Sequence, residues 1–176
     1  MLSQIKSIVE AIAPRLVEIR RHLHSHPELS GQEYKTAAYV AGVLSSCGLR
    51  VQELVGKTGV VAELPGGEDS RILAIRADMD GLPIAERVDL PFASNQSGIM
   101  HACGHDVHTT VGLGVAMVLA QLNLPLPGTT RFLFQPAEET AQGARWMIED
   151  GVMEGVAAVL GLHVYPSVPA RAIGIR

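Results

Sequence analysis

The stretch from His101 to His108, with the sequence HACGHDVH, holds the residues whose types and spacing best suit metal chemistry. Cys103 and His105 are two positions apart, so on an extended segment their thiolate and imidazole project to the same side. Both groups are ligands for ions such as zinc, cobalt or manganese. Two ligands do not complete a site, and further donors are needed elsewhere in the chain.

Those further donors occur at two later points. Glu138 and Glu139 form an acidic pair, and His163 closes a long apolar run. With Cys103 and His105 they give four candidate ligands and one spare carboxylate. A hydrolytic metal centre needs such a set, because the ions require ligands and the reaction also requires a group that accepts a proton.

Each residue also has an ordinary structural explanation. A single cysteine such as Cys103 is often a small buried hydrophobe, and paired glutamates before a helix favour the positive end of its dipole. Asp78 and Asp80 suit a turn, and His163 suits a buried core position. All of these explanations must hold at once to dismiss the site, so the joint occurrence favours metal binding.

His22 and His26 are four residues apart, the spacing of a two-histidine metal grip on one face of a helix. Pro27 follows directly, and histidine is also favourable near a helix C-terminus without any metal. Both interpretations remain open for this pair. Cys47 lies among apolar residues of a predicted helix and is assigned to the core.

The composition restricts the classes of partner. The chain has 176 residues, of which 47% are hydrophobic, a length and composition that suit one domain. The net charge is −4 without a basic patch, so we expect no nucleic-acid partner. The apolar runs are too short to cross a bilayer, and charged residues interrupt positions 1–20, so we expect no membrane partner and a cytoplasmic location. Two cysteines fit a reducing compartment.

Hydrophobic periodicity predicts alternating helices and strands. Pro14 is expected to kink or interrupt the first helix. A long loop is predicted for 78–108. The predicted helices are 3–24, 33–46, 110–122 and 143–150, and the predicted strands are 50–54, 59–64, 71–77, 128–135 and 157–164, with another strand beginning within 172–175. This order predicts an α/β fold in which helices flank a mixed, mostly parallel sheet.

The candidate donors have a common position relative to these elements. Asp78 and Asp80, the Glu138–Glu139 pair and His163 each follow the C-terminal end of a predicted strand. In open α/β sheets, ligands bind in the crevice outside the carboxyl ends of the strands. The sequence therefore predicts that one crevice collects these groups.

With these residues assembled, the chain resembles the amidohydrolase branch of the M20 metallopeptidase family, which includes N-acyl-amino-acid, hippurate and auxin-conjugate hydrolases. The motifs that carry the resemblance span nearly the whole chain in family order. They are residues 21–28, RADMDGLP at 76–83, HACGHDVHT at 101–109, FQPAEE at 134–139 and GLHVYP at 161–166.

The resemblance implies a role for each candidate residue. The implied metal ligands are Cys103, His105, Glu139 and His163. Glu138 would be the general base, and Asp80 would be a supporting carboxylate that orients a ligand. Asp78 stands where most M20 peptidases have a histidine. The implied cofactors are one or two divalent ions, zinc, manganese or cobalt.

The resemblance also implies a substrate and a domain organisation. The reaction would be hydrolysis of the amide bond of a small N-acyl-amino acid. Residues 1–176 would form the N-terminal part of the catalytic domain, and the family's inserted dimerisation domain and C-terminal part, with a further histidine ligand, would lie beyond Arg176. By itself the 176-residue chain is expected to have impaired activity and to self-associate through an exposed sheet edge.

Three other functions fit some of the same residues. The first is a non-catalytic metal-binding remnant or interaction module. The second is a structural or storage zinc protein, which the spare carboxylate of Glu138 argues against. The third is a hydrolase that uses Cys103 as a nucleophile with His105.

Overall fold

The computed structural model describes residues 1–122 and 124–175. Within them lie four helices and five strands. The helices are α1 (Leu2–Ser25), α2 (Tyr34–Ser46), α3 (His105–Leu122) and α4 (Gly143–Glu149). The strands are β1 (Arg50–Val55), β2 (Gly59–Leu64), β3 (Asp69–Asp78), β4 (Gly128–Gln135) and β5 (Val156–Gly161).

The strands form one sheet in the order β1-β2-β4-β3-β5. β2 pairs antiparallel with β1 and with β4, whereas β3 pairs parallel with β4 and with β5. β2 therefore runs opposite to the other strands of the described sheet, all of which share one direction. This confirms the predicted α/β fold with a mixed, mostly parallel sheet flanked by helices.

The alternation of side chains along β4 builds a core on each face of the sheet. Phe132 and Phe134 are buried in a large cluster with residues of α1, α2 and α3. Leu133 points to the opposite face, where it packs with Met147 of α4. Full burial of a side chain such as Phe134 stabilises the fold by about 1.5–3 kcal/mol, so β4 anchors both layers.

Helix α1 is continuous through Pro14, so of the two expected effects of this proline the interruption is wrong. Proline has no backbone N–H, so the carbonyl of Glu10 loses its usual helical hydrogen bond. Both positions are exposed, so water can satisfy that carbonyl.

Two predicted boundaries and one predicted strand are wrong. Helix α3 begins at His105 rather than at 110, which shortens the predicted loop 78–108. β5 ends at Gly161 rather than at 164, and no strand forms within 172–175. Among the described residues no helix is both long and apolar enough to span a membrane.

Two glycines let α3 approach its neighbours closely. A Cβ at Gly112 would lie 3.2 Å from a ring carbon of Phe134, and one at Gly114 would lie 3.3 Å from Leu16 of α1. These contacts fix α3 between the sheet and α1. The helix that begins at His105 therefore starts from a rigid support.

Candidate metal centre

The candidate donors gather at one edge of the sheet because three parallel strands end there. β3 ends at Asp78, β4 at Gln135 and β5 at Gly161. The chain therefore delivers Asp80, the Glu138–Glu139 pair and His163 to the same side of the molecule. The candidate donors therefore lie together beyond the carboxyl ends of the strands.

A tight turn, and not an extended segment, brings Cys103 and His105 together. Gly104 has a φ of +88°, and a Cβ there would lie 2.4 Å from Cγ2 of Val164. Glycine is suited to this position because it adopts positive φ at no steric cost and leaves room for the strand end. The sequence prediction of an extended Cys103–His105 pair was therefore wrong, although the two side chains do converge.

The donor atoms lie close to one another. Cys103 Sγ is 3.4 Å from His163 Nε2, and the ligand atoms of Cys103, His105 and His163 all lie within 4.8 Å of one another. His105 Nε2 is also 3.7 Å from a carboxylate oxygen of Glu138 and 3.7 Å from one of Glu139. His105 thus belongs to three adjacent groups of potential ligands, the third of which it forms with Asp78 and His108.

Asp80 orients the His105 ring by contacting its Nδ1, the ring nitrogen that is not among the candidate ligand atoms. Its Oδ1 lies 3.1 Å from His105 Nδ1, and its Oδ2 accepts hydrogen bonds from the Ser30 hydroxyl at 2.6 Å and the Glu139 backbone N–H at 3.0 Å. Burial raises the pKa of Asp80, but these hydrogen bonds outweigh it and lower the pKa to about 2. A charged Asp80 holds the proton of His105 on Nδ1, so Nε2 faces the centre.

Two buried atoms at the centre have no hydrogen-bond partner among the described residues. They are His105 Nε2 and Glu139 Oε1, which lie 3.7 Å apart. Buried polar atoms are normally paired, because leaving one unpaired costs about 1–3 kcal/mol. A cation between them would satisfy both.

The distances also suit a divalent ion. A tetrahedral ion with bonds of about 2.3 Å to sulfur and about 2.0 Å to nitrogen separates those two ligand atoms by roughly 3.5 Å. The observed separation of Cys103 Sγ and His163 Nε2 is 3.4 Å. The residues present therefore fit a metal ion in both chemistry and spacing.

The electrostatic surroundings favour a positive charge at this point. Burial, together with the nearby carboxylates of Glu139 and Glu138, raises the pKa of the Cys103 thiol to about 11. Burial lowers the pKa of His105, but Asp80 and Asp78 outweigh it, so the net shift is upward. Without a metal ion the Cys103 thiol therefore stays protonated at neutral pH, which argues against a metal-free cysteine nucleophile. A cation bound beside it would favour the thiolate.

A strained turn presents the two glutamates. Ala137 has a φ of +47° and is fully buried, and its N–H donates to Glu33 Oε1 at 2.8 Å. Glu33 Oε2 in turn accepts the Thr58 hydroxyl at 2.5 Å. The side chain of Glu138 is 39% exposed and that of Glu139 is 21% exposed, so Glu138 is the more accessible to solvent.

Sequence reasoning missed Glu33, Ser30 and His108 as parts of the site. Glu33 contacts Ala137 across 104 positions of sequence, a separation that no local pattern reveals. A signal did exist for His108, because it stands three positions after His105 and shares its helix face. That signal was hidden because the start of α3 was placed too late.

His22 and His26 lie apart from these donors, at the C-terminal end of α1. Their rings stack with centroids 4.5 Å apart, and His26 Nδ1 contacts the carbonyl of His22 at 2.8 Å. His22 also stacks on Tyr39. These contacts account for both histidines as helix-end packing.

Comparison with known proteins identifies relatives of this chain. Residues 74–176 match the family described as peptidase family M20/M25/M40. The chain belongs to this M20 family. It is 68% identical over 174 residues to a probable hydrolase of Synechocystis, which covers 98% of this chain and 44% of that protein. It is 49% identical over 168 residues to an N-acetylcysteine deacetylase of Bacillus subtilis, which covers 95% of this chain and 44% of that protein.

A solved structure shares the fold of this M20 chain. A Bacillus subtilis protein, described as a dinuclear metal binding peptidase of the M20 family, superimposes with a TM-score of 0.87 at 50% identity. The match covers 91% of this chain and 45% of that one. The chain spans about half the length of the curated relatives it matches.

Proposed function

We propose that the protein hydrolyses the amide bond of N-acyl-amino acids with divalent metal ions as cofactors. One observation carries the proposal: donor atoms from Cys103, His105 and His163, far apart in sequence, lie within 4.8 Å of one another beside a pair of glutamates. The proposed ligands are Cys103, His105, Glu139 and His163.

The donor set is consistent with one or two ions. His105 is shared between one group with Cys103 and His163 and another with Glu138 and Glu139. Thiolate and imidazole suit zinc or cobalt, and carboxylates also suit manganese. A divalent ion at such a centre polarises the amide carbonyl and lowers the pKa of water towards neutrality.

Glu138 is proposed as the general base. It is adjacent to the ligand Glu139, it is more exposed, and its carboxylate faces the same histidine nitrogen at 3.7 Å. In this position Glu138 takes a proton from the attacking water and later donates it to the leaving amine. Asp80 supports the reaction indirectly, because it fixes the orientation of His105 and the backbone of Glu139.

The proposed substrates are small N-acyl-amino acids, and hippurate is included among them. The name of one relative, an N-acetylcysteine deacetylase, supports this class. We further propose that residues 1–176 form the N-terminal part of a catalytic domain, with an inserted dimerisation domain and a C-terminal part contributed by other sequence. A cytoplasmic location stays a prediction.

Self-association through the outer strand β5 is part of the same proposal. β5 pairs with β3 on one side, and its side chains Val159 and Leu160 are exposed. An exposed apolar edge strand offers both unpaired backbone groups and hydrophobic surface to another chain.

The substitution Glu138→Gln tests the proposal in the full-length protein. The amide cannot accept the proton, so turnover of N-acetyl-amino acids and hippurate should fall about 10²- to 10⁴-fold. Metal content after dialysis, measured by elemental analysis, should be unchanged. Glu149→Gln, at an exposed glutamate on α4, is the matched control and should retain activity.

Unchanged turnover in Glu138→Gln would refute the assigned base. Metal bound by the unsubstituted protein without hydrolysis of any N-acyl-amino acid would instead favour the non-catalytic metal-binding module. Activity that persists after complete metal removal would refute the metal-dependent mechanism.

A further inference from the structure

His108 is a buried histidine next to the proposed ligands, and both of its ring nitrogens are occupied. Nδ1 lies 2.6 Å from Asp78 Oδ1, and Nε2 lies 2.9 Å from the backbone nitrogen of Val164. The side chain is fully buried. Its ring centroid is 4.5 Å from that of His163.

The two partners fix the tautomer of this ring. The N–H of Val164 is a donor, so Nε2 of His108 must accept and carries no proton. The proton is then on Nδ1, where it is donated to the carboxylate of Asp78. His108 would have to give up one of these hydrogen bonds to bind an ion, whereas His105 Nε2 has no such partner.

Asp78 connects this ring to the rigid sheet. It is the last residue of β3, and its second oxygen lies 2.6 Å from Nη1 of Arg76. Nε of Arg76 donates to the Gln135 side chain at the end of β4 at 2.9 Å. The position of His108 is therefore set by two central strands as well as by α3.

His163 lies in the segment that follows β5, and this segment needs contacts that hold it in place. β5 stops at Gly161, and residues 162–166 are exposed and irregular. His163 Nδ1 contacts the carbonyl of Val164 at 2.6 Å, which leaves Nε2 towards Cys103. The hydrogen bond from Val164 to His108 ties this exposed segment to α3.

We infer that His108 is a positioning residue that holds His163 at the metal centre by accepting the Val164 N–H. This inference rests on the proposed metal site. In this role His108 contacts neither the ion nor the substrate. Loss of the acceptor should let His163 move away from Cys103, and such outer contacts typically change metal affinity about 10- to 100-fold.

Two substitutions separate the two hydrogen bonds of the ring. The side-chain amide of His108→Asn places a donor near Nδ1 and keeps the bond to Asp78, but it does not reach Val164. The longer amide of His108→Gln places an oxygen near Nε2 and keeps the bond from Val164. Thr110→Val, which removes a buried hydroxyl from the same helix, is the control for loss of one hydrogen bond away from the centre.

The experiment measures the dissociation constants of zinc and cobalt for the full-length protein by competition with a chromophoric chelator. His108→Asn should weaken binding about 10- to 100-fold, and it should weaken the thiolate-to-cobalt absorption, whereas His108→Gln and Thr110→Val should stay close to the unsubstituted protein. Circular dichroism of the metal-free variants checks that each is folded.

Two results would overturn the inference. Unchanged affinity in His108→Asn would show that the contact does not position His163, and equal loss in both His108 variants would point to direct ligation by the ring. Failure of the unsubstituted protein to bind either metal would contradict the proposed function and, with it, this inference.

A second measurement uses the unsubstituted protein and does not depend on how the variants fold. Long-range ¹H–¹⁵N correlation spectra distinguish a protonated from an unprotonated imidazole nitrogen. They should show His108 with its proton on Nδ1 and a bare Nε2. A proton on Nε2 would be incompatible with the hydrogen bond from Val164 and would overturn the inference.

Discussion

At the scale of single residues, the sequence was enough to choose the candidate donors but not the groups that position them. Cys103, His105 and His163 stand out because thiolate and imidazole are unusual side chains with a specific chemistry. Asp80 was predicted as a support only through the family resemblance. The role of Glu33 comes from a contact distant in sequence, so no local pattern singles it out. His108 was missed because the predicted start of α3 was too late to place it on the same helix face as His105.

Gly143 is a residue whose importance comes from having no side chain. A Cβ at this position would lie 1.5 Å from the carbonyl oxygen of Pro136, which opens the turn that carries Glu138 and Glu139. We expect Gly143→Ala to lower the free energy of unfolding by about 1–3 kcal/mol or more, as measured by denaturant unfolding.

The matched control for this prediction is Gly42→Ala in the middle of α2. A Cβ there meets nothing within 4 Å, so alanine should raise the free energy of unfolding by up to about 1 kcal/mol. Equal effects of the two substitutions would show that the turn at Pro136 is not sterically restricted.

At the scale of elements, two loops act together to present the glutamate pair. The connection between α1 and α2 supplies Glu33, which accepts the Ala137 N–H in the turn after β4. It also supplies Ser30, which donates to Asp80, and the same oxygen of Asp80 accepts the Glu139 N–H. Most strands and helices were predicted because their hydrophobic periods are clear. The start of α3 was missed because it depends on Gly104, whose positive φ and close approach to Val164 are features of the tertiary structure.

Glu33 provides the test of this arrangement. Glu33→Ala leaves the Ala137 N–H without its acceptor, so the turn relaxes and Glu138 loses its alignment; we expect kcat to fall about tenfold or more while KM and metal content change little. Glu33→Gln keeps an oxygen towards Ala137 and should restore most of kcat. The measurement is steady-state hydrolysis of an N-acetyl-amino acid by the full-length protein.

Thr58→Val gives the structural comparison for this test, because it removes the other hydrogen bond of Glu33 without touching the turn. It should lower stability but leave kcat nearly unchanged. An equal fall of kcat in Glu33→Gln and Glu33→Ala would rule out positioning through the Ala137 hydrogen bond.

At the scale of the whole molecule, one edge of the sheet carries the chemistry and one outer strand carries exposed apolar surface. The direction shared by β3, β4 and β5 explains why distant donors converge, and this could be predicted from alternating strands and helices. The strand order and the burial of each face could not be predicted from the sequence, because they depend on which strands pair. β5 is the outer strand beside β3, and its Leu160 is 58% exposed.

Self-association should therefore depend on β5. Leu160→Lys places a charge on the edge strand and should shift the 176-residue chain towards the monomer in sedimentation velocity experiments. Val17→Lys, at an exposed position on α1, is the control and should leave the distribution unchanged. An equal shift in both variants would contradict an association through β5.

The central claim, that Cys103, His105 and His163 hold a cation, is tested most directly by cobalt titration of the metal-free protein. Because the pKa of Cys103 is raised to about 11, binding at neutral pH should release its proton and produce a thiolate-to-cobalt absorption band. Cys103→Ser should abolish the band, whereas Cys47→Ser, which removes the other cysteine, should leave it intact. Absence of cobalt binding, or a band that persists in Cys103→Ser, would contradict the account.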